Sequence, residues 1–390
     1  MKTDHTSKLI FLIASASVLQ ITESFLPHPL PGVRLGLANL MTLVALFELG
    51  FKDALKIAVI RSIVSSLILG TFLSPAFVLS LSGAVLSTAS MGSVYVLNDR
   101  VKTPRISIIG ISLIGAMVHN LTQITLVYFL FIQHSSVFMM MPVLCISGVV
   151  TGWLTGFVAG RVCINIRQGL RMDWTQHTSA GIEFQMMHFI ERNSAIHRTH
   201  ALAKILVVIV IAVLIMSVPS DISAMFIVLF FLLAIIAKLP LRVFGYAFLK
   251  IWPVVMFAFL MPILFVHEGS YLISSGKLII TREGVELGVR YAMRIVLLLF
   301  YTALLMKTTR PDRLAEGFSI LFSPLKWIGL NPIHLSELLV GSWNLLPNLW
   351  QQMTGFLKVN TLKNRRLKEI IDLLSRFISS LYLQTEENQP

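Results

Sequence analysis

The sequence predicts an all-α integral membrane protein, and composition and charge placement are the main reasons. Of the 390 residues, 55% are hydrophobic and only 13% are charged, whereas soluble proteins carry about 25% charged residues. The mean hydropathy is +0.79. The charges gather in short clusters between apolar stretches of roughly 18 to 25 residues, which as helices can cross about 30 Å of hydrocarbon. A lipid bilayer is therefore the predicted surrounding of this chain.

Six apolar segments form the first part of the chain. Their approximate spans are 8–25, 35–49, 53–73, 74–97, 106–132 and 138–164. Ser74-Pro75 should interrupt the helix between the third and fourth segments, because proline disfavours helix at the residue before it. The first segment also resembles a cleaved signal peptide, with Ala14-Ser15-Ala16 as the cleavage-like site. Apolar residues continue to Ile21, which favours a retained first helix.

A polar, basic stretch at 165–200 predicts a domain boundary. We assign residues 1–165 to a six-helix membrane domain, 166–195 to a cytoplasmic linker and 196–390 to a second membrane domain. Its apolar segments are 201–218, 221–237, 241–266 and 285–306, the third with kinks expected at Pro253 and Pro262. Three amphipathic helices are predicted after them, at 311–321, 333–346 and 362–383. The last has an apolar stripe opposite Lys368, Asp372 and Arg376, which is typical of a helix that lies on a surface or a partner.

The basic residues predict the topology. A cytoplasmic N-terminus places the basic loops at 99–105, 161–200, 238–250 and 307–326 on the inside, as the positive-inside rule requires. The loops at 25–33, 70–75 and 133–137 then lie outside and contain no lysine or arginine. The net charge of +13 does not indicate nucleic acid as a partner, because the basic residues stand at the ends of apolar runs.

Polar residues within apolar helices are costly and are therefore candidate functional residues. Arg34 follows a proline-rich outer loop and can hold an anion, with Asn39 about 7 Å deeper along the next helix. The alternative is that Arg34 snorkels to the interface and that Asn39 only packs against another helix. Arg61 lies about two turns inside the third segment beside Ser62, Ser65 and Ser66, where it either binds a ligand or packs against the serines.

Two further polar groups lie in later helices. His119, Asn120 and Gln123 fall in the fifth segment, and His119 and Gln123 share a face because they are four residues apart. They either bind a ligand or hydrogen-bond to a neighbouring helix. Arg290 and Arg294 are also four apart, and they could pair with Glu286 and Glu283 in a purely structural role.

The sequence lacks the residue sets that several kinds of enzyme chemistry require. The aspartates are isolated, so no carboxylate cluster is suited to Mg²⁺ and diphosphate chemistry. There is no phosphate-binding loop of the Walker type and no Cys/His set with metal spacing. We therefore expect no cofactor, no metal and no enzymatic activity.

Residues 1–165 resemble a small membrane family known as "heptaprenyl diphosphate synthase component I" or "Gx transporter". The similar stretches are PGVRLGLAN at 31–39, Arg61 with GT at 70–71, LSG at 81–83 through Met91, and GAMVHNLTQ at 115–123. The resemblance implies a six-helix, substrate-binding S component of an energy-coupling factor (ECF) transporter. It also implies a set of substrate-binding residues: Arg34, Asn39, Arg61, His119, Asn120 and Gln123. The synthase label does not fit, because the residues for that chemistry are absent.

Residues 190–383 resemble the transmembrane T component of the same transporters. The similar stretches are 197–204, Glu283-Gly284 leading to Arg290 and Arg294, TTRP at 308–311 and SPL at 323–325. In that family, cytoplasmic helices after this turn meet two ATPase subunits through Ala-Arg-Gly-type motifs. Here 359–364 reads VNTLKN, with Lys363 and Asn364 where arginine and glycine would fall, so we expect altered ATPase association. The implied coupling residues are Arg294, Thr308, Thr309, Pro311 and Lys363.

Together the two resemblances imply a fused membrane transport component for an unknown small molecule. The expected location is the bacterial inner (cytoplasmic) membrane, with separate ATPase subunits as partners. The alternative is an accessory membrane subunit of prenyl-diphosphate, quinone or flavin-linked redox metabolism that has no transport activity.

Overall fold

The structure is a computed structural model. It describes residues 2–25, 36–69, 71–100, 106–132, 135–170, 190, 192–217, 220–275, 278–321, 323, 332–359 and 367–387. Nearly all of these residues are helical, which confirms the predicted all-α class.

Six α-helices are described in the N-terminal half. They are α1 (Lys2–Phe25), α2 (Leu37–Glu48), α3 (Phe51–Leu69), α4 (Pro75–Arg100), α5 (Ile108–Val127) and α6 (Met141–Arg167). A π-helical turn at Tyr128–Ile132 and a 3-10 turn at Ser135–Met140 lie between α5 and α6. The predicted interruption before Pro75 is present, and Leu73 there has a φ of 60°.

The C-terminal half begins with the short helix α7 (Ala195–Arg198). Its longer helices are α8 (Ala201–Ser217), α9 (Ser220–Ile236), α10 (Arg242–Phe265), α11 (Arg282–Thr308), α12 (Pro311–Leu321), α13 (Pro332–Val359) and α14 (Leu367–Glu387). Strands β1 (Tyr271–Ser275) and β2 (Leu278–Thr281) form an antiparallel hairpin between α10 and α11. Sequence reasoning treated this hairpin as a loop and ended α13 too early, at 346.

Four helices of the described residues are long and apolar enough to cross a membrane. They cover Ala76–Asn98, Ile108–Leu130, Val137–Arg167 and Arg282–Thr308. Shorter apolar helices occur at Leu37–Glu48, Ala201–Ser217, Met225–Ile236 and Val255–Phe265. The membrane character is thus confirmed, whereas six spanning helices in the N-terminal half stays a prediction.

The two halves share one hydrophobic core. Helix α1 is central to it, with Leu9 and Leu12 fully buried, and it packs against α2 and α3 on the N-terminal side and against α13 and α14 of the other half. Helix α14 also packs on α6, where Asn165 Nδ2 donates a hydrogen bond to Ser375 Oγ at 3.3 Å. The amphipathic stripe predicted on α14 therefore covers the N-terminal bundle, because its apolar side chains are removed from water there.

Candidate functional site

Arg61 is the centre of a buried polar network in the N-terminal half. Arg61 lies on α3 and is only 2% exposed. Its Nη1 donates to Gln20 Oε1 at 2.8 Å, its Nη2 to Asn39 Oδ1 at 2.7 Å and its Nε to Thr42 Oγ1 at 3.2 Å. Each acceptor is a neutral oxygen on α1 or α2. The guanidinium is therefore held in one orientation by hydrogen bonds to two neighbouring helices.

The network extends towards the end of α1 and onto α4. Gln20 also donates from Nε2 to Ser80 Oγ on α4 at 3.2 Å. One turn further along α1, buried Glu23 accepts a hydrogen bond from the backbone N–H of Gly36 at 2.8 Å. Gly36 precedes α2 and has a φ of 76°, a conformation that glycine adopts without steric cost. The carboxylate of Glu23 thus fixes the entry of the chain into α2.

A cavity of about 40 Å³ lies beside this network. Its lining is mostly polar or small: Gln20, Glu23, Gly36, Ala38, Asn39, Leu43, Arg61, Ser80, Met91, Ser112, Gly115, Ala116, His119, Asn120, Thr151, Gly152 and Thr155. Space of this size admits a few water molecules and is well below the roughly 300–1,000 Å³ of ordinary ligand pockets. In the described part of the wall, charge comes from the Arg61 cation and the Glu23 carboxyl group, with His119 as a third titratable side chain. A ligand larger than water must therefore widen the cavity when it binds.

The three candidate residues of α5 occupy different positions. His119 lines the cavity, and its ring lies against Gly83 of α4, where an added Cβ would come within 2.7 Å of the imidazole. Asn120 also lines the cavity, but its Nδ2 donates to the carbonyl of Leu144 on α6 at 2.7 Å. Gln123 is buried one turn further along and is not among the described lining residues. His119 is therefore the α5 side chain that is best placed to meet a ligand.

The coupling residues Thr308 and Thr309 lie at the corner between α11 and α12. Both are buried. Lys204 of α8 donates from Nζ to the carbonyl of Thr308 at 2.8 Å and to Thr309 Oγ1 at 3.2 Å. Pro311 is the first residue of α12, a position where its missing N–H costs nothing. Lys204 thus joins the start of α8 to the turn that sets the direction of α12.

The segment before α8 is tied to the same corner. The N–H of Ile190 donates to the carbonyl of Lys307 at 3.1 Å. His197 Nε2 lies 3.0 Å from the carbonyl of Ile190, and its Nδ1 lies 2.7 Å from Ser194 Oγ. Burial lowers the pKa of His197, so the neutral imidazole donates at Nε2 and accepts the serine hydroxyl at Nδ1. The turn between α11 and α12 is therefore hydrogen-bonded both by Lys204 of α8 and by Ile190 in the segment before α7.

Arg294 lies on α11 near Arg290 and is partly buried. Glu286 pairs with Arg282 at 2.9 Å, and Glu283 accepts the N–H of Ser270 at 2.8 Å. These contacts give Glu286 and Glu283 the partners Arg282 and Ser270, and the structural role considered from the sequence for Arg290 and Arg294 stays a prediction. Arg34 and Lys363, the remaining candidate residues, lie outside the described residues.

Sequence reasoning missed four members of the polar network: Gln20, Glu23, Thr42 and Ser80. A usable signal was present, because Gln20 and Glu23 are polar residues three apart in an apolar helix and so share one face.

Two family models match the chain, one in each half. The description of the first is "Heptaprenyl diphosphate synthase component I", and it covers residues 12–162. The second, "Cobalt transport protein", covers residues 192–353. Curated relatives named energy-coupling factor transporter transmembrane protein EcfT align with the C-terminal half. The chain is thus similar to two different families in succession.

Three of these relatives show how far the similarity extends. The protein from Acidaminococcus fermentans is 28% identical over 206 residues, which are 50% of this chain and 76% of that protein. The one from Exiguobacterium sibiricum is 26% identical over 208 residues, covering 51% of this chain and 79% of its own length. The Bacillus subtilis protein is 30% identical over 147 residues, or 35% and 55% of the two chains. These matches support a membrane transport component of an energy-coupling factor type transporter.

Proposed function

We propose that the N-terminal half binds a small polar molecule at the Arg61 cavity and that the C-terminal half couples this binding to transport. The observation that carries the proposal is the cavity itself, a buried polar site walled by α1–α6 with the Arg61 cation in its lining. Ionisable residues inside membrane helices are rare, and they mark substrate or ion pathways. The match of the N-terminal half to a separate family model supports a fused S component.

Helix α1 offers a physical link between the two halves. Its Gln20 accepts from Arg61, while Ile10, about 15 Å away along the same helix, packs against Gly341 of α13. A Cβ on Gly341 would lie 2.5 Å from Ile10 Cδ1, so the two helices touch closely there. A ligand that displaces Arg61 from Gln20 would move α1, and α13 would have to follow because packed interfaces do not deform continuously.

The partners and location follow from the same proposal. Helices α12, α13 and α14 would face the cytoplasm and meet separate ATPase subunits, with Thr308, Thr309 and Pro311 fixing their direction. Lys363 would supply positive charge to that contact, but without the planar fork of arginine. The protein would lie in the bacterial inner membrane and would act as a transporter component rather than an enzyme.

Ligand retention tests the binding site directly. The protein is purified in mild detergent, and small molecules released on denaturation are identified by mass spectrometry. His119→Ala should lose the ligand, whereas His334→Ala, which removes a histidine paired with Glu337 on α13 at 3.6 Å, should retain it. Gly83→Ala should also lose it, because the added methyl group would displace the His119 ring without removing it.

Uptake into proteoliposomes separates transport from an accessory role. Uptake of the identified ligand, dependent on co-purified ATPases and ATP, is the expected result. If both His119→Ala and Gly83→Ala retain the ligand like the unmodified protein, the cavity is only a packing feature and the proposal is wrong. A retained prenyl diphosphate, quinone or flavin without uptake would instead favour the accessory subunit, to which the synthase description of the N-terminal family points.

A further inference from the structure

The β1–β2 hairpin exposes a row of apolar side chains. Tyr271, Leu272 and Ile273 are 66%, 59% and 52% exposed. They follow one another in β1, and the pairing with β2 is irregular between Tyr271 and Ile273. Burying such side chains is worth about 25 cal/mol for each Å² removed from water. Their exposure therefore needs an explanation.

The base of the hairpin is held rigidly against the helices on either side. Thr281 Oγ1 donates to the carbonyl of Val266 at 2.8 Å, and the N–H of Arg282 donates to the carbonyl of Ser270 at 2.9 Å. Glu283 adds a third tie by accepting the N–H of Ser270. These bonds join the end of α10 to the start of α11 across the hairpin. The apolar row is therefore presented at a fixed position relative to both helices.

The position of the hairpin indicates which surroundings it meets. It connects the ends of two adjacent apolar helices, and α11 is long and apolar enough to cross the membrane. Exposed apolar side chains continue from the hairpin onto these helices, at Leu264 and Leu260 of α10 and Val289 of α11. Surfaces of this kind on spanning helices face lipid, and a tyrosine next to aliphatic residues is typical of the membrane interface.

The charges around the hairpin mark the water-facing level. His267, Glu268, Arg282 and Glu286 are all exposed and lie just before β1 or just after β2. Because these residues include both acidic and basic side chains, the surface around the hairpin is not suited to binding a strongly acidic or a strongly basic protein. The same mixture suits phospholipid headgroups, which carry both charges.

We propose that the hairpin is an interfacial anchor that inserts Tyr271, Leu272 and Ile273 into the headgroup–acyl boundary of the bilayer. The partner is the lipid surface itself. The anchor fixes the depth of α10 and α11 in the membrane, because both helices are bonded to its base. This inference does not depend on what the cavity of the N-terminal half binds.

Spin labelling in vesicles tests the anchor. The two native cysteines, Cys145 and Cys163, are replaced by alanine, and nitroxide labels are placed at Leu272→Cys or at Glu268→Cys. The full chain is reconstituted into phosphatidylethanolamine–phosphatidylglycerol vesicles. Collision rates are then measured with oxygen, which concentrates in lipid, and with a neutral nickel complex, which stays in water.

The label at position 272 should show an oxygen-to-nickel collision ratio at least about threefold above that at position 268, because insertion reaches roughly 5–10 Å into the boundary. Equal ratios at the two positions would mean that the row faces water, which overturns the proposal. Low collision rates of the 272 label with both reagents would mean that protein covers the row, which overturns it as well. Both positions are exposed, so neither label has to be accommodated in the core.

Discussion

Replacement of Arg61 by methionine should destabilise the whole N-terminal half. The change removes three hydrogen bonds from a charged donor, to Gln20, Asn39 and Thr42, and leaves their oxygens buried. Hydrogen bonds to charged groups contribute about 1.5–3 kcal/mol each, which gives an upper bound of roughly 5–9 kcal/mol. Removing a buried cation also relieves a desolvation cost of several kcal/mol. We therefore expect a net loss of about 2–4 kcal/mol.

Thermal unfolding in detergent, followed by tryptophan fluorescence, measures this loss. A loss of about 2–4 kcal/mol in the free energy of unfolding should lower the apparent Tm of the N-terminal half by about 5–10 °C. The matched control is Arg282→Met, which removes an arginine from an exposed ion pair with Glu286 and should cost no more than about 1 kcal/mol. Arg61→Lys should fall between the two variants, because lysine keeps the charge but lacks the planar fork.

Equal decreases in Tm for Arg61→Met and Arg282→Met would show that the buried network does not stabilise the N-terminal half. That result would mean that Gln20, Asn39 and Thr42 find other partners at no cost. A Tm that rises in Arg61→Met would mean that the desolvation of the cation outweighs its three bonds.

Three further predictions address packing, coupling and topology. Gly156→Ala should destabilise the protein by about 1–3 kcal/mol, because the new Cβ would lie 2.7 Å from a backbone carbon of α5. The control is Gly160→Ala on the same helix, where a Cβ meets nothing within 4 Å, and it should be neutral or stabilising by about 0.5–1 kcal/mol. Equal Tm values for the two variants would contradict this prediction. Lys204→Met removes the hydrogen bonds to the α11–α12 corner and should reduce ligand uptake without reducing ligand retention. The control Lys52→Met, at an exposed position, should change neither. Unimpaired uptake in Lys204→Met would show that the corner is irrelevant to coupling. Ser179→Cys should react with an impermeant thiol reagent only from the cytoplasmic side, and labelling of intact cells from outside would overturn the predicted topology.

The sequence alone determined the membrane class and much of the helix pattern. Proline geometry acts within one turn, so the interruption between α3 and α4 was readable at Ser74-Pro75. Helical periodicity is equally local, which is why the apolar stripe of α14 was visible in advance, and Ile371 and Phe377 of that stripe are indeed buried. The hairpin was missed because its strands are only five and four residues long and its apolar residues stand in a run rather than in alternation.

The tertiary structure decided which polar groups meet. Arg61 was a candidate from the sequence, but its partners Gln20 and Asn39 lie 41 and 22 residues away, and only the packing of α1 and α2 against α3 brings them together. Glu286 shows the same limit within one helix. Its spacing allows pairs with Arg282 four residues before it and with Arg290 four residues after it, and only the structure shows that its carboxyl group lies 2.9 Å from Arg282. Periodicity fixes the face on which a side chain lies, whereas the orientation of the side chain and its partner depend on the neighbouring helices.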